Sequence, residues 1–595
     1  MHTFTGHRWC GSEHVRGHQW VSNMLSRLPV MAAMIIVLAT FGPVQAANLS
    51  CPSGDVTCLI AAINTANGNG EEDTIMLAAG TYTLTAVDNA TDGANGLPSI
   101  TSVLTIQGAG AENTILERAA TAPPFRLLHV SPNGVLQLDG LTVRGGRGGI
   151  LNFGAIRITH SRVTDNTSDS GGGLDNVGGA VTIANAVFAN NFGDEGGGGL
   201  HSVEGTVQIS ESSFLDNEAG HSAGAFVNCG GTATIAASTF AHNGGDPAAI
   251  INSSGFPCES TRESTMTIGN TTIADTVGNV TGGLVNDGTM LVLNSAIVRN
   301  FALSGVGGIW NRGSLTLINT TMADNLSPDI GGIDNGGSLS LINTTVADNE
   351  ASLTGAVGGL RNSGTAVLVN TILARNTSGE GGVPGEAPDC NGPITSQGSN
   401  LIGDLTGCTV TLQPSDLTGN PGLGSLADDG SPGHAHLPLL AASPAINAGD
   451  NDVCTSDPQL ATDQLGNLRV DICDIGAIEF QAPVVDTIPP VITIAASPTT
   501  LWPPNGKLVS VRVVGTMTDE PGGSGVNASS AAFMVLDEYG QLQPRGSLTL
   551  RADGHYTFTV ALKASRRGND RDGRHYTIVV SAEIRPGTWG LPRLL

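Results

Sequence analysis

One unit recurs through the middle of the chain and limits what it can fold into. It reads Gly-Gly-(Ile/Leu)-x-Asn-x-Gly, then a β-rich stretch, then a turn close to Ala-Asp-Asn. It recurs at least nine times, anchored by Asn152, Asn176, Asn228, Asn252, Asn286, Asn311, Asn335 and Asn362, with Ser202 at the slot that departs. Spacing is mostly 24 to 27 residues. Strands of three to five residues cannot bury themselves. Stacking each repeat on the next at about 4.8 Å gives parallel ladders around a continuous apolar interior. Within the unit starting at Gly331, alternation sends Leu339, Leu341 and Val346 inward. The pattern predicts an all-β chain, a right-handed parallel β-helix whose coils number as the repeats do.

Asparagine returning at one turn has a structural reading, because its side chain tolerates left-handed backbone and stacked amides can bond up the helix. Asp165, Asp216, Asp275, Asp324 and Asp348 recur at a second turn, where carboxylates at coil spacing repel unless solvated or bridged by a cation such as calcium. Calcium is the one cofactor these positions suggest. The 34-residue step from Asn252 to Asn286 carries Phe256-Pro-Cys-Glu-Ser-Thr-Arg-Glu, a polar insertion that a Cys229–Cys258 bond would tie to the stack.

Lys and Arg number 26 against 52 Asp and Glu, a net charge of −26, which excludes nucleic acid as a natural partner. The local basic stretches, Arg144-Gly-Gly-Arg147 and the one near Arg566, read as solvated turns. An apolar run from Leu28 to Phe41, preceded by Arg27 and followed by Pro43-Val-Gln-Ala46, reads as an export signal over 1–46, with Met24 a candidate start; the competing reading is a single-pass anchor. Beyond it lie eight cysteines in sequence-local pairs, Cys51/Cys58, Cys229/Cys258, Cys390/Cys408 and Cys454/Cys473. Even number and close pairing point to disulfides in an oxidising compartment, with connectivity open and zinc the weaker alternative for lack of CxxC spacing.

Two terminal signals are more specific than the repeat. Cys51-Pro-Ser-Gly-Asp-Val-Thr-Cys58-Leu-Ile-Ala-Ala-Ile-Asn-Thr-Ala-Asn67, with Asp73-Thr-Ile and Ala79-Gly-Thr-Tyr-Thr-Leu-Thr85, resembles the CSLREA-type opening of bacterial secreted β-helix proteins. Its helix would cap the first coil. Leu426-Ala-Asp-Asp-Gly-Ser-Pro-Gly-His-Ala-His436, Ser443-Pro-Ala-Ile-Asn-Ala-Gly-Asp450, Thr462-Asp-Gln-Leu-Gly466 and Cys473-Asp-Ile-Gly-Ala-Ile-Glu479 resemble the choice-of-anchor Q domain. The resemblance spans about 47 to 480 and implies a pectin-lyase-like β-helix, a fold of polysaccharide-degrading enzymes and of adhesins alike. After Asp486-Thr-Ile-Pro-Pro490 the repeats give way to longer alternating stretches that, with Leu501-Trp-Pro-Pro-Asn-Gly-Lys507, resemble Ig-like modules; past Val580 the pattern decays, which reads as an incomplete final strand. The expected organisation is a cap and first coil over 47–99, repeats over 100–425, the choice-of-anchor Q-like segment over 426–480, a linker over 481–490 and the Ig-like module over 491–595.

Catalysis on such a fold needs converging carboxylates for hydrolysis, or calcium beside a cationic base for lyase chemistry. Asp428 and Asp429 with His434 and His436 form the nearest cluster, inside the terminal signature and therefore read first as a closing turn. Arg299, Arg312, Arg361 and Arg375 occur singly, and aromatics are only 4% of the chain, leaving Phe226 and Trp310 as candidate sugar platforms. The expectation is a monomeric, secreted or cell-surface, non-enzymatic protein that contacts extracellular polysaccharide or a surface protein; the alternative is a polysaccharide lyase or glycoside hydrolase. A membrane would be met only during export or through an anchor not visible in the sequence.

Overall fold

The computed structural model describes residues 48–255, 258, 260–379, 389–481, 489–519, 525–584 and 593–594. The expected export segment, Met24 and most of the stretch after Ile584 lie outside the described residues. The chain divides into two compact units, one through Phe480 and one from Gln481.

The first unit is a right-handed parallel β-helix. A typical coil gives a short strand ending at or near the anchoring Asn, a five-residue strand, a three-residue strand and a two-residue strand, as in Leu174–Val177, Ala180–Ala184, Val187–Ala189 and Phe192–Gly193. The three-residue strands belong to a 14-stranded parallel sheet and the two-residue strands to a nine-stranded one. Register is strict: Ile156 pairs with Val181, and Val181 with Val207, so inward side chains meet their own kind from coil to coil. Leu339, Leu341 and Val346 are buried as alternation requires. Phe188, Phe214 and Phe240 stack ring on ring at 4.8 Å. Each such fully buried side chain contributes roughly 1.5–3 kcal/mol, and the period repeats that contribution along the whole solenoid.

The anchoring asparagines do form a ladder, although not with left-handed backbone. They sit on extended strands, and each amide donates to the next coil: Asn152 Nδ2 to Asn176 Oδ1 at 2.7 Å, Asn252 to Asn286 at 2.9 Å, Asn286 to Asn311 at 2.8 Å and Asn335 to Asn362 at 2.6 Å. Left-handed residues stand elsewhere, among them Asn185 and Asn343 after the five-residue strands and Asp165, Asp216, Asp275, Asp324 and Asp348 after the three-residue ones. The residue after the left-handed position of this turn points inward and builds a second ladder, Asn from Asn166 to Asn243 and from Asn300 to Asn376, with Thr276 between the two runs.

The helix Val56–Asn69 covers the first coil with Leu59, Ala62, Ile63 and Ala66, started by Asp55 accepting from the Cys58 N–H and ended by left-handed Gly70. Toward the other end, the segment from about 419 to 480 lies along the outside of the 14-stranded sheet. Leu423, Ala435, Leu437, Leu439 and Ile475 pack there on Ala296, Val298, Ala323 and Ala347. This segment acts as a strap across several coils: Gly433 N–H donates to Thr272 Oγ1 at 2.8 Å, Thr321 Oγ1 to Gln464 Oε1 at 2.6 Å, and Ala477 N–H to Thr345 Oγ1 at 3.0 Å. The eight cysteines among the described residues pair as Cys51–Cys58, Cys229–Cys258, Cys390–Cys408 and Cys454–Cys473.

The second unit holds two four-stranded antiparallel sheets around one core that includes Val511, Val513, Val535, Val560, Leu562, Ile578 and Val580. Its longest pairing joins Leu508–Thr518 to His555–Lys563, and the other sheet pairs Val526–Asp537 with Tyr576–Ile584.

Candidate functional site

In each short strand that ends at the ladder, the first residue points inward, the middle one outward and the Asn back into the ladder. The middle slots therefore form a column on an outer face, in register through Leu151, Asp175, His201, Val227, Ile251, Val285, Trp310, Asp334 and Arg361. Beyond Leu151, Asp175 and His201 on one side and Asp334 and Arg361 on the other flank an apolar centre. Val227, Ile251 and Val285 are buried, and Trp310 is half-buried at the edge of the strip.

Two walls rise beside this centre. On one side the Cys229–Cys258 bond holds the insertion, Ser260 Oγ donates to Glu204 at 3.0 Å, and Ser253 Oγ donates to Asp287 at 2.7 Å. Asp287 also accepts from Arg312, whose guanidinium lies 4.3 Å from the Trp310 ring centre. The opposite wall is made by the loops that enter the strands, with His221, Asp246, Pro247 and Val280. Between them is a cavity of about 390 Å³, floored by Ile251, Val285 and Trp310.

Neighbouring polar groups limit its chemistry. His201 Nδ1 lies 2.9 Å from both Asp175 Oδ1 and Ser170 Oγ, so serine and carboxylate share one ring nitrogen. An activated serine would need the other nitrogen, which instead faces Cys229 Sγ at 3.7 Å. Arg361 is held by Asp334 and by Asp329, both at 2.9 Å. Asp194, Glu195 and His221 bring donor atoms within 4.8 Å of one another on the rim, the one such convergence among the described residues that could take a metal ion.

The residues singled out from sequence go to different places. Asp428, Asp429, His434 and His436 lie in the strap rather than beside the cavity. Asp428 accepts from Arg299 at 3.1 Å, and Asp429 is drawn down to about 2 by the Ser431 N–H and His434. His436 Nδ1 meets the His434 carbonyl at 2.7 Å. The five aspartates share one turn position but do not form one unbroken row, because the coils between them supply Asn190, His242 and Arg299, and Arg375 follows the last. Arg299 binds Asp275 through two contacts of 2.9 and 3.0 Å, and Arg375 pairs with Asp348. Burial, then the charge of Asp348, raises the Asp324 carboxyl above its usual range. Asp165 and Asp216 occupy the same turn on earlier coils.

Phe226 pairs with Ile250 in the inward slot and is fully buried, whereas Trp310 occupies the outward slot one position later in the coil. Ser202 accepts from Asn176 Nδ2 at 2.9 Å and leaves Asn228 Oδ1 buried without a partner. Sequence reasoning missed Arg469, buried in the strap among Glu479, the Asp474 carbonyl, the Gly476 carbonyl and Asn319. A lone arginine in a terminal signature gives no sign of that setting.

No protein-family model and no curated protein sequence matches the chain. Solved structures similar to it include the mannuronan C-5 epimerase AlgE6 A-module of Azotobacter vinelandii, at 15% identity and a TM-score of 0.36, covering 62% of this chain and 96% of that one. Pectate lyase Pel9A overlaps at 14% identity and a TM-score of 0.30, covering 70% and 90%. The catalytic unit of a GH87 α-1,3-glucanase from Streptomyces thermodiastaticus overlaps at 13% identity and 0.27, covering 65% and 70%.

Proposed function

We propose that the open face of the β-helix is a non-catalytic binding groove for an extracellular polysaccharide, and that the protein works outside the cell in adhesion or matrix contact. The observation that carries this reading is Trp310, an outward aromatic at the floor of a cavity whose walls carry His221, Asp246 and Arg312. Aromatic faces stack on pyranose rings, and flanking polar groups fix sugar hydroxyls. With Asp287 paired to Arg312, Asp194, Glu195 and Asp246 make the rim acidic, which favours a neutral or amino sugar over a polyanion. Four disulfides suit an oxidising compartment.

Affinity electrophoresis with neutral polysaccharides tests this. Retardation of the full chain and its loss in Trp310→Ala, about tenfold or more in affinity, is the expected result. Release of new chain ends from a polysaccharide panel, with or without calcium, would replace the binding reading with lyase or hydrolase activity.

A further inference from the structure

The second unit differs electrically from the rest of the chain. Residues 481–595 contain 11 of the 26 Lys and Arg but only 9 of the 52 Asp and Glu, so a slightly basic unit follows a strongly acidic one. The stretch near Arg566, a solvated turn by sequence alone, contributes to one wall of a cavity of about 520 Å³. The Leu501-Trp-Pro-Pro segment forms another wall. It is tied to the end of the His555–Lys563 strand by Gly506 N–H to the Ala564 carbonyl at 2.7 Å and by Ala564 N–H to the Lys507 carbonyl at 2.8 Å.

Not every cation there is available. Arg574 is buried against Asp537, which it holds down to about 2, and the Tyr539 ring lies between Arg574 at 5.0 Å and Arg567 at 4.5 Å. Asp572, the carboxylate on the cavity wall, is 3.6 Å from His575. Lys563, Arg566 and Arg571 line the same cavity, are exposed, and have no carboxylate within ion-pair distance among the described residues. Trp502 stands beside them with 77% of its surface exposed. Three uncompensated cations and one exposed indole around a cavity form a recognisable chemical pattern. The cations match spaced anionic groups, and the indole offers a flat apolar face to a ring.

We propose that this cavity binds an acidic saccharide, a chain of pyranose rings bearing carboxylate or sulfate groups. Trp502 stacks on a ring while Lys563, Arg566 and Arg571 contact the anions. This site is independent of the groove, whose acidic rim disfavours such a chain, so the protein would hold two glycans of different charge.

The test uses the full chain, with polygalacturonate and dextran sulfate as anionic probes, dextran as the neutral control, and duplex DNA and phosphatidylglycerol vesicles as other polyanions. Binding to at least one anionic polysaccharide, weakening as salt rises, is expected. Arg566→Glu combined with Arg571→Glu should lower that affinity about tenfold or more and flatten its salt dependence. Trp502→Ala should weaken binding while leaving the salt dependence intact. Preference for polygalacturonate or for dextran sulfate identifies the anionic group. All three side chains are exposed, so unfolding curves should stay unchanged. Trp310→Ala should leave anionic binding untouched, and the double charge reversal should leave neutral-glycan binding untouched, so the two sites fail separately. Unchanged binding in the double variant would overturn the proposal. So would equal binding of DNA and vesicles with no effect of Trp502→Ala, since that is general attraction of polyanions.

Discussion

Two outer faces of the same solenoid have opposite fates. The later strands of the 14-stranded sheet are covered by the strap, which buries Arg469 among acidic and carbonyl groups, while the column through Trp310 stays open around a cavity. The covered face carries the most chemically suggestive sequence, Asp428, Asp429, His434 and His436, yet uses it in turns and ion pairs. The open face carries single departures from a repeat. In a periodic fold, clustered polar residues are what attach a strap, and isolated breaks in the period are where a surface becomes individual.

The contrast can be broken most forcefully at Arg469. Arg469→Met leaves the buried Glu479 without its cationic partner and should cost about 3–5 kcal/mol. Thermal unfolding should drop, and limited proteolysis should begin within 420–480 while neutral-glycan binding persists. Unchanged stability would mean that the strap is not held by its polar network.

Asp389 sharpens the same contrast through pH. It accepts from Asn376 at the end of the second ladder, beside the covered face, and burial raises its carboxyl to about 6. The folded chain therefore keeps this proton up to about pH 6, while the unfolded chain releases it near pH 4, so this contribution to stability falls as pH rises from about 4 to 6. The fall should be about 3 kcal/mol, and Asp389→Asn should remove it from denaturant melts. A pH dependence that persists in the variant would assign it to another group.

Beside the open face, Asn311→Leu leaves Asn286 Nδ2 without its side-chain acceptor on the next coil and Asn335 Oδ1 without its donor. It should cost about 1–3 kcal/mol in the same melts. Ser202→Asn is the smallest change and has the opposite sign. It supplies an amide to the partnerless Asn228 Oδ1 and should stabilise by about 1 kcal/mol or less. Loss of stability would mean that the serine slot is too narrow for an amide.

Much of this fold is legible in the sequence. The period gave the coils, alternation gave the buried Leu339 and Leu341, and local cysteine spacing pointed to the four bonds. The anchoring asparagines gave a ladder, but their left-handed geometry belonged to other turns. The site was less legible. Phe226 and Trp310 differ by one slot, and in a strand one slot reverses the face. The strap was hidden because its contacts join residues far apart, as Gly433 does with Thr272, and no local pattern records which face such a segment will choose.

The ladders also give the solenoid a direction. In the runs from Asn252 to Asn286 to Asn311 in one ladder and from Asn300 to Asn325 to Asn349 to Asn376 in the other, each amide donates toward the later coil, whereas Asn243, before the Thr276 break, turns back to the Phe214 carbonyl. Side-chain dipoles so aligned add head to tail, leaving a partial positive end at the last coils. A carboxylate, Asp389, receives one of those ends and the Pro393 carbonyl the other. The rod is thus electrically polarised along its axis by side chains alone, with its anionic terminator placed where the accumulated dipole favours negative charge.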